Sequence, residues 1–97
     1  MKLYLDDVRT TPDGWVRSYT VSETINLLKS NVVAELSLDH DLGDEVGVGT
    51  GYDVLKWIEE QVVVNHYQPP IIHIHTGNLS ARVKMIAAVE SIMKLAR

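Results

Sequence analysis

The sequence predicts an α/β domain in which a mostly parallel sheet is covered by helices. Three observations predict it. Candidate elements alternate in the order strand, loop, strand, helix, strand, helix, strand, helix. The 97 residues, 45% of them hydrophobic, suffice for one core and not for two. No internal repeat and no interdomain linker breaks the chain, so residues 1–97 read as a single domain.

Each element has a local reason. Lys2 to Leu5 is a short strand that stops at Asp6-Asp7, and Pro12 and Gly14 make Val8 to Trp15 a loop. Arg17 to Val21 is the second candidate strand. Ser22 reads as the cap of a helix that runs to about Ser30, with Glu23 in its first turn and Ile25 and Leu28 as its buried stripe. Glu35 to Asp39 is the third strand, followed by a polar, glycine-rich loop from His40 to Gly51. The next helix starts near Tyr52 and places Val54, Leu55, Trp57, Ile58 and Val62 at helical spacing. Pro69-Pro70 ends that segment. Ile71 to His75 is the fourth strand, and Asn78 or Ser80 caps a last helix whose expected core face is Val83, Ile86, Val89 and Met93. Parallel neighbours usually need a crossover of a dozen or more residues. The first two strands have only about ten between them, so a helix there is stunted or missing, and an antiparallel hairpin is the competing arrangement.

Composition removes several function classes. There is no cysteine, which excludes disulfide scaffolds, cysteine zinc sites and thiolate catalysis. Neither an apolar span of transmembrane length nor a signal-peptide pattern is present, so the expectation is a soluble, cytoplasmic setting without membrane contact. Nine basic residues against thirteen acidic give a net charge of -4, too few cations for generic duplex nucleic-acid binding. A small nucleotide, an RNA end or a carboxylate-held metal remains compatible. The Val62-Val63-Val64 run and the thin core leave room for a homodimer.

In open parallel sheets, ligands bind beyond the carboxyl ends of the strands. Those ends carry Asp6-Asp7, Asp39-His40-Asp41 and His75-Thr76-Gly77-Asn78. One aspartate at a strand end is ordinary turn chemistry. Clustered aspartates on adjacent strand ends repel one another unless a cation joins them, so Asp6, Asp7 and Asp39 are the candidate metal ligands, Asp7 and Asp39 binding the cation and Asp6 beside them as a direct or water-bridged ligand. Oxygen ligands favour Mg²⁺, with Mn²⁺ as a substitute. Zn²⁺ held by His40, His75 and an aspartate ranks behind both. His40 and His75, beside the aspartates, are the candidate proton carriers, with His75 first. His73, one step deeper, is expected in the core, and His66 is remote. In an extended segment His40 and Asp41 point to opposite sides, so one of them at most should join the site. Gly47-Val48-Gly49-Thr50-Gly51 before a helix reads equally as an anion cradle and as a loop capped by Thr50. Arg9, Thr50, Gly51, Thr76 and Asn78 are the candidate phosphate contacts, with Arg82 more simply a surface residue.

Four segments together resemble a known family. They are Leu5-Asp6-Asp7-Val8-Arg9 with Pro12 and Gly14-Trp15, Leu38-Asp39-His40-Asp41-Leu42-Gly43, Thr50-Gly51-Tyr52-Asp53, and His73-Ile74-His75-Thr76-Gly77-Asn78. The chain resembles the cyclic-phosphate processing receiver-like domains, relatives of the receivers of two-component signalling, over nearly its whole length. With right-handed crossovers, the resemblance implies a three-layer, flavodoxin-like sheet truncated to about four strands in the order 2-1-3-4. It implies an acidic pair at Asp6 and Asp7, the receiver's phospho-accepting aspartate at Asp39, and the hydroxyl of the fourth strand at Thr76. A receiver's lysine at the end of a fifth strand has no counterpart among the five lysines here, whereas His40 and His75 are additions.

The expected function is therefore a metal-dependent phosphoesterase opening a cyclic phosphate, either a 2′,3′-cyclic phosphate RNA end or a cyclic nucleotide. Asp39 would help hold the metal, and His75 and His40 would move protons. The alternatives are a signalling receiver phosphorylated on Asp39, or a module that binds a cyclic nucleotide without turnover. The missing lysine weighs against the first alternative, and the histidines weigh against both.

Overall fold

A computed structural model describes residues 1–43 and 49–97. Four strands, β1 (Lys2–Leu5), β2 (Val16–Ser18), β3 (Glu35–Leu38) and β4 (Ile71–Ile74), form one sheet in the order β2-β1-β3-β4. Every neighbouring pair is parallel, including β1 and β2, so the hairpin alternative is not realised. Three helices follow: α1 (Val21–Ser30), α2 (Gly51–Asn65) and α3 (Leu79–Leu95).

Strand alternation sorts the chain into two faces. Leu3, Leu5, Leu36 and Leu38 point to one side and are fully buried with Leu28 of α1, Val54, Leu55 and Ile58 of α2, and Met85 and Ile92 of α3. All three helices contribute to this one core, so they cover the same face. The paired register puts Lys2, Tyr4, Arg17, Glu35, Ser37 and His73 on the opposite face. No helix covers it. The layer there is the loop after β1, which folds back through Trp15 to meet the Tyr4 ring edge-on at 6.2 Å and the His73 ring at 6.3 Å. A loop can make this connection without a helix because β2 is only three residues long and sits at the sheet edge.

Several boundaries and faces differ from expectation. The second strand lies at Val16–Ser18 rather than Arg17–Val21, and the cap of α1 is Thr20, not Ser22. Thr20 Oγ1 accepts from Glu23 N–H at 3.1 Å, and Glu23 Oε1 accepts from Tyr19 N–H at 3.1 Å. The two bonds answer each other across the first turn and draw the start of the helix back by two residues. Thr24, not Ile25, accompanies Leu28 inside, because Ser18 Oγ lies 2.7 Å from Thr24 Oγ1 and satisfies it. The helix after Pro69-Pro70 buries Ala81, Met85 and Ile92; of its expected face Val89 packs against the core, while Val83, Ile86 and Met93 are exposed. Small Ala81 and half-buried Ala88 let that helix approach closely, which the larger residues on its flank would prevent. His73 is also not a core residue: its side chain is half exposed and meets Glu35 Oε1 at 3.1 Å.

Candidate functional site

The carboxyl ends of β1, β3 and β4 converge, and one carboxylate oxygen from each of Asp6, Asp7 and Asp39 lies within 4.8 Å of the others. They open into a cleft of about 600 Å³ that is also lined by Arg9, Asp41, Gly43, Gly49 and Thr50. That volume accommodates a nucleotide-sized ligand.

Asp6 is fully engaged. Its Oδ1 accepts the backbone N–H of Val8 at 2.8 Å and of Arg9 at 2.9 Å. Its Oδ2 accepts Arg9 Nη1 at 3.0 Å and faces His75 Nε2 at 3.0 Å. Burial pushes the carboxyl upward, but the hydrogen bonds from Val8, Arg9 and His75 outweigh it, and the pKa falls to about 2. Asp39 differs: Oδ1 takes the N–H of His40 at 2.8 Å, and Oδ2 meets Arg9 Nη1 at 3.4 Å. Asp7 accepts no hydrogen bond among the described residues. Arg9 is thus the internal counter-ion of the cluster, and contact with Asp6 holds its guanidinium above the usual range.

His75 is held on three sides. Nδ1 lies 2.7 Å from Ser37 Oγ, Nε2 faces Asp6, and the ring stacks on Tyr4 with centroids 4.3 Å apart and planes 1° from parallel. An ionised Asp6 requires a proton on Nε2, so Nδ1 accepts from Ser37. Burial lowers the pKa of His75, more than Asp6 raises it. His40 sits on the other arm of the site, with Nδ1 2.7 Å from Asp41 Oδ1. Asp41 lines the cleft and His40 does not, so one of the two joins the site directly.

Other candidates have local duties. Asn78 caps α3, its Oδ1 accepting from Ala81 N–H at 3.1 Å and Ser80 Oγ at 3.3 Å. Thr76 is buried, and its Oγ1 accepts from Asn78 N–H at 3.1 Å in the turn that leads to the cap. Neither lines the cleft. Gly51 is a packing position: a Cβ there would stand 1.8 Å from the carbonyl oxygen of Asp39. Its smallness lets α2 start directly against the end of β3. Of the glycine-rich run, Gly49 and Thr50 line the cleft, and Gly47 and Val48 lie outside the described residues. Thr50 bridges to Asp41, and its N–H donates to Asp53 Oδ2 at 2.9 Å. Gly43 was not singled out from the sequence. It holds φ +96°, and a Cβ would sit 3.4 Å from Asp7 Oδ2, so glycine keeps the approach to Asp7 clear. Ser37 and Tyr4 were missed as supports of His75. Both lie two residues before an aspartate of the cluster on the same strand face, and that period-two relation was the available signal.

The donor set is all oxygen, which suits a hard divalent cation better than zinc. Among the described residues Asp7 accepts no hydrogen bond and Asp39 accepts one, from His40 N–H, so both keep lone pairs that could ligate. Asp6 has filled its acceptor sites and could join a cation only through a water.

A parallel β2-β1-β3-β4 sheet with helices returning over it and an acidic pair facing a third-strand aspartate defines a receiver-like domain. The family model described as cyclic-phosphate processing receiver domain matches residues 1–91, and the chain belongs to that family. No curated protein and no solved structure matched the chain. No helix among the described residues is long and apolar enough to cross a membrane.

Proposed function

We propose that this domain is a metal-dependent phosphoesterase that opens a cyclic phosphate, on an RNA end or in a cyclic nucleotide. The observation that carries the reading is the trio Asp6, Asp7 and Asp39, within 4.8 Å of one another at the floor of a cleft that also presents Arg9. Asp7 and Asp39 would hold Mg²⁺ or Mn²⁺, with Asp6 behind them. Such a cation, when bound, offsets phosphate charge and lowers the pKa of its water.

The chain's own groups have distinct tasks. Arg9, half exposed and anchored on Asp6, turns its remaining N–H donors toward a phosphate oxygen. Gly49 and Thr50 line the same cleft. Hydrolysis adds one water oxygen to phosphorus, breaks one P–O bond of the ring and returns a proton to the departing oxygen, leaving a monoester. We place that proton with the His40–Asp41 pair, since Asp41 reaches the cleft and His40 holds it. His75, the first choice from the sequence, has both ring nitrogens engaged, and its task in this reading is to orient Asp6.

Incubation with 2′,3′- and 3′,5′-cyclic nucleotides plus Mg²⁺ or Mn²⁺, and separately with acetyl phosphate, tests the reading by mass spectrometry. Monoester formation is expected. A stable gain of one phosphoryl group on Asp39 without turnover would replace it with a signalling receiver. Unchanged bound nucleotide would replace it with a sequestering module.

A further inference from the structure

The flank of α3 that faces away from α2 carries an uncovered apolar stripe. Leu79 is 77%, Val83 71%, Ile86 37% and Met93 44% exposed. At about 100° per residue these four fall on one side of the helix together with Arg82 and Glu90. The direction of that side is fixed by two contacts. Lys84, on the opposite flank, lies over the Tyr52 ring of α2 at 4.3 Å. Arg82, on the stripe side, donates from Nη1 to the carbonyl of Ile74 in β4 at 2.8 Å.

The stripe therefore continues onto the outer edge of β4, which has no strand partner among the described residues. The N–H groups of Ile71 and His75 point inward to β3, so Ile72 and Ile74 turn theirs outward. Ile71, at the start of that edge, is 60% exposed. An apolar helix flank beside an open strand edge is a surface that proteins normally cover.

We propose that a second copy of this chain covers it, with α3 packed antiparallel against α3 of its partner about a two-fold axis at Ile86. The pattern of the stripe favours this occupant over an unrelated partner. A two-fold contact demands that the surface complement itself. With Ile86 on the axis, residues whose numbers sum to the same total meet: Leu79 faces Met93 of the partner subunit, and Arg82 faces Glu90 of the partner subunit. Each pairing occurs twice, apolar against apolar and cation against anion, over about 21 Å of helix at 1.5 Å per residue. Arg82 spends one of its five donors on Ile74 and keeps others for the carboxylate. The two β4 edges come together beneath the helices and are shielded from other strands. None of the stripe residues lines the acidic cleft, so the proposal does not depend on what the cleft does.

Light scattering and sedimentation equilibrium on the full chain over a concentration series test the proposal. The wild type is expected to rise from 10.9 kDa toward twice that mass. Ile86→Glu, at an exposed position, should weaken association at least ~10-fold by placing two carboxylates on the axis. Arg82→Glu should weaken it through repulsion across the axis, and the exchange Arg82→Glu with Glu90→Arg should recover most of the loss. Far-UV circular dichroism checks that each variant is folded, and the charge exchange decides alone if Ile86→Glu is not. A wild type that stays monomeric into the high micromolar range overturns the proposal. So does a dimer indifferent to these changes, or an exchanged pair no better than Arg82→Glu alone.

Discussion

Asp6 and His75 form the most constrained contact in the site, and it makes stability depend on pH. Both have folded pKa values below their unfolded ones. The unfolded chain therefore binds protons that the folded chain refuses, and stability falls as pH drops. For His75 the loss begins as pH passes below about 6.5, and for Asp6 below about 4. The Asp6 portion, from an ordinary carboxyl to about 2, amounts to roughly 2 kcal/mol across that acid range. Urea melts from pH 7.5 to pH 3 should show both losses. His75→Phe, which keeps a ring on Tyr4 but cannot titrate, should remove the component between pH 7 and pH 5; an unchanged profile in that variant contradicts the assignment. Arg9 makes the second residue-scale prediction. Its guanidinium meets both Asp6 and Asp39, so it competes with any other cation for the cluster. Arg9→Met should tighten Mn²⁺ binding up to ~10-fold by calorimetry, since an unscreened charge at this range is worth about 1 kcal/mol or somewhat more. The same variant should bind a cyclic phosphate more weakly. Looser Mn²⁺ binding in Arg9→Met would show that the arginine organises the cluster and does not compete for it.

At the scale of elements, the start of α2 sets the position of Asp39. Gly51 N–H donates to His40 carbonyl at 3.2 Å, and its α-carbon lies so close to Asp39 that any side chain collides with backbone. Gly51→Ala should cost at least ~2–3 kcal/mol. In a domain of this size that lowers Tm by on the order of 10–20 °C. A near-neutral effect in a thermal melt would mean that α2 can slide without cost. Elements were unevenly legible in the sequence. All four strands and all three helices were recognisable because hydrophobic period and turn residues agreed. The buried face of α3 was not, because Val83, Ile86 and Met93 offer an apolar side as continuous as that of Ala81, Met85 and Ile92. Periodicity reports that a helix has an apolar side and does not say which of two sides meets the sheet. The roles of Thr76 and Asn78 were also open, since a hydroxyl or amide at a strand end serves a turn, a cap or a ligand with the same residue types. Only the hydrogen bonds to Asn78 and Ala81 separate those duties.

For the whole molecule, the order of strands followed from alternation, crossover handedness and the family resemblance. The uneven covering of the sheet followed from one short connection. With no helix between β1 and β2, one face carries only a loop and Trp15, and polar residues such as Ser37, His73 and His75 can occupy it. That loop-covered polar face is what allows a histidine to reach Asp6 from behind. The convergence of Asp6, Asp7 and Asp39 was legible because a parallel sheet gathers its carboxyl ends. That Asp6 stands beside the other two was also legible; whether it would ligate directly or through a water was not, because that depends on Arg9 and His75 reaching the same oxygen. The proposed function requires Asp7 and Asp39 together to hold a divalent cation that the cleft uses to open a cyclic phosphate. The most direct test follows a 2′,3′-cyclic nucleotide by ³¹P NMR while Mg²⁺ or Mn²⁺ is titrated into the wild type, Asp7→Asn and Asp39→Asn. A monoester signal is expected to appear with metal in the wild type and to form at least ~100-fold more slowly in both variants. Hydrolysis that proceeds equally in chelator, or that survives in Asp39→Asn at the wild-type rate, would contradict it.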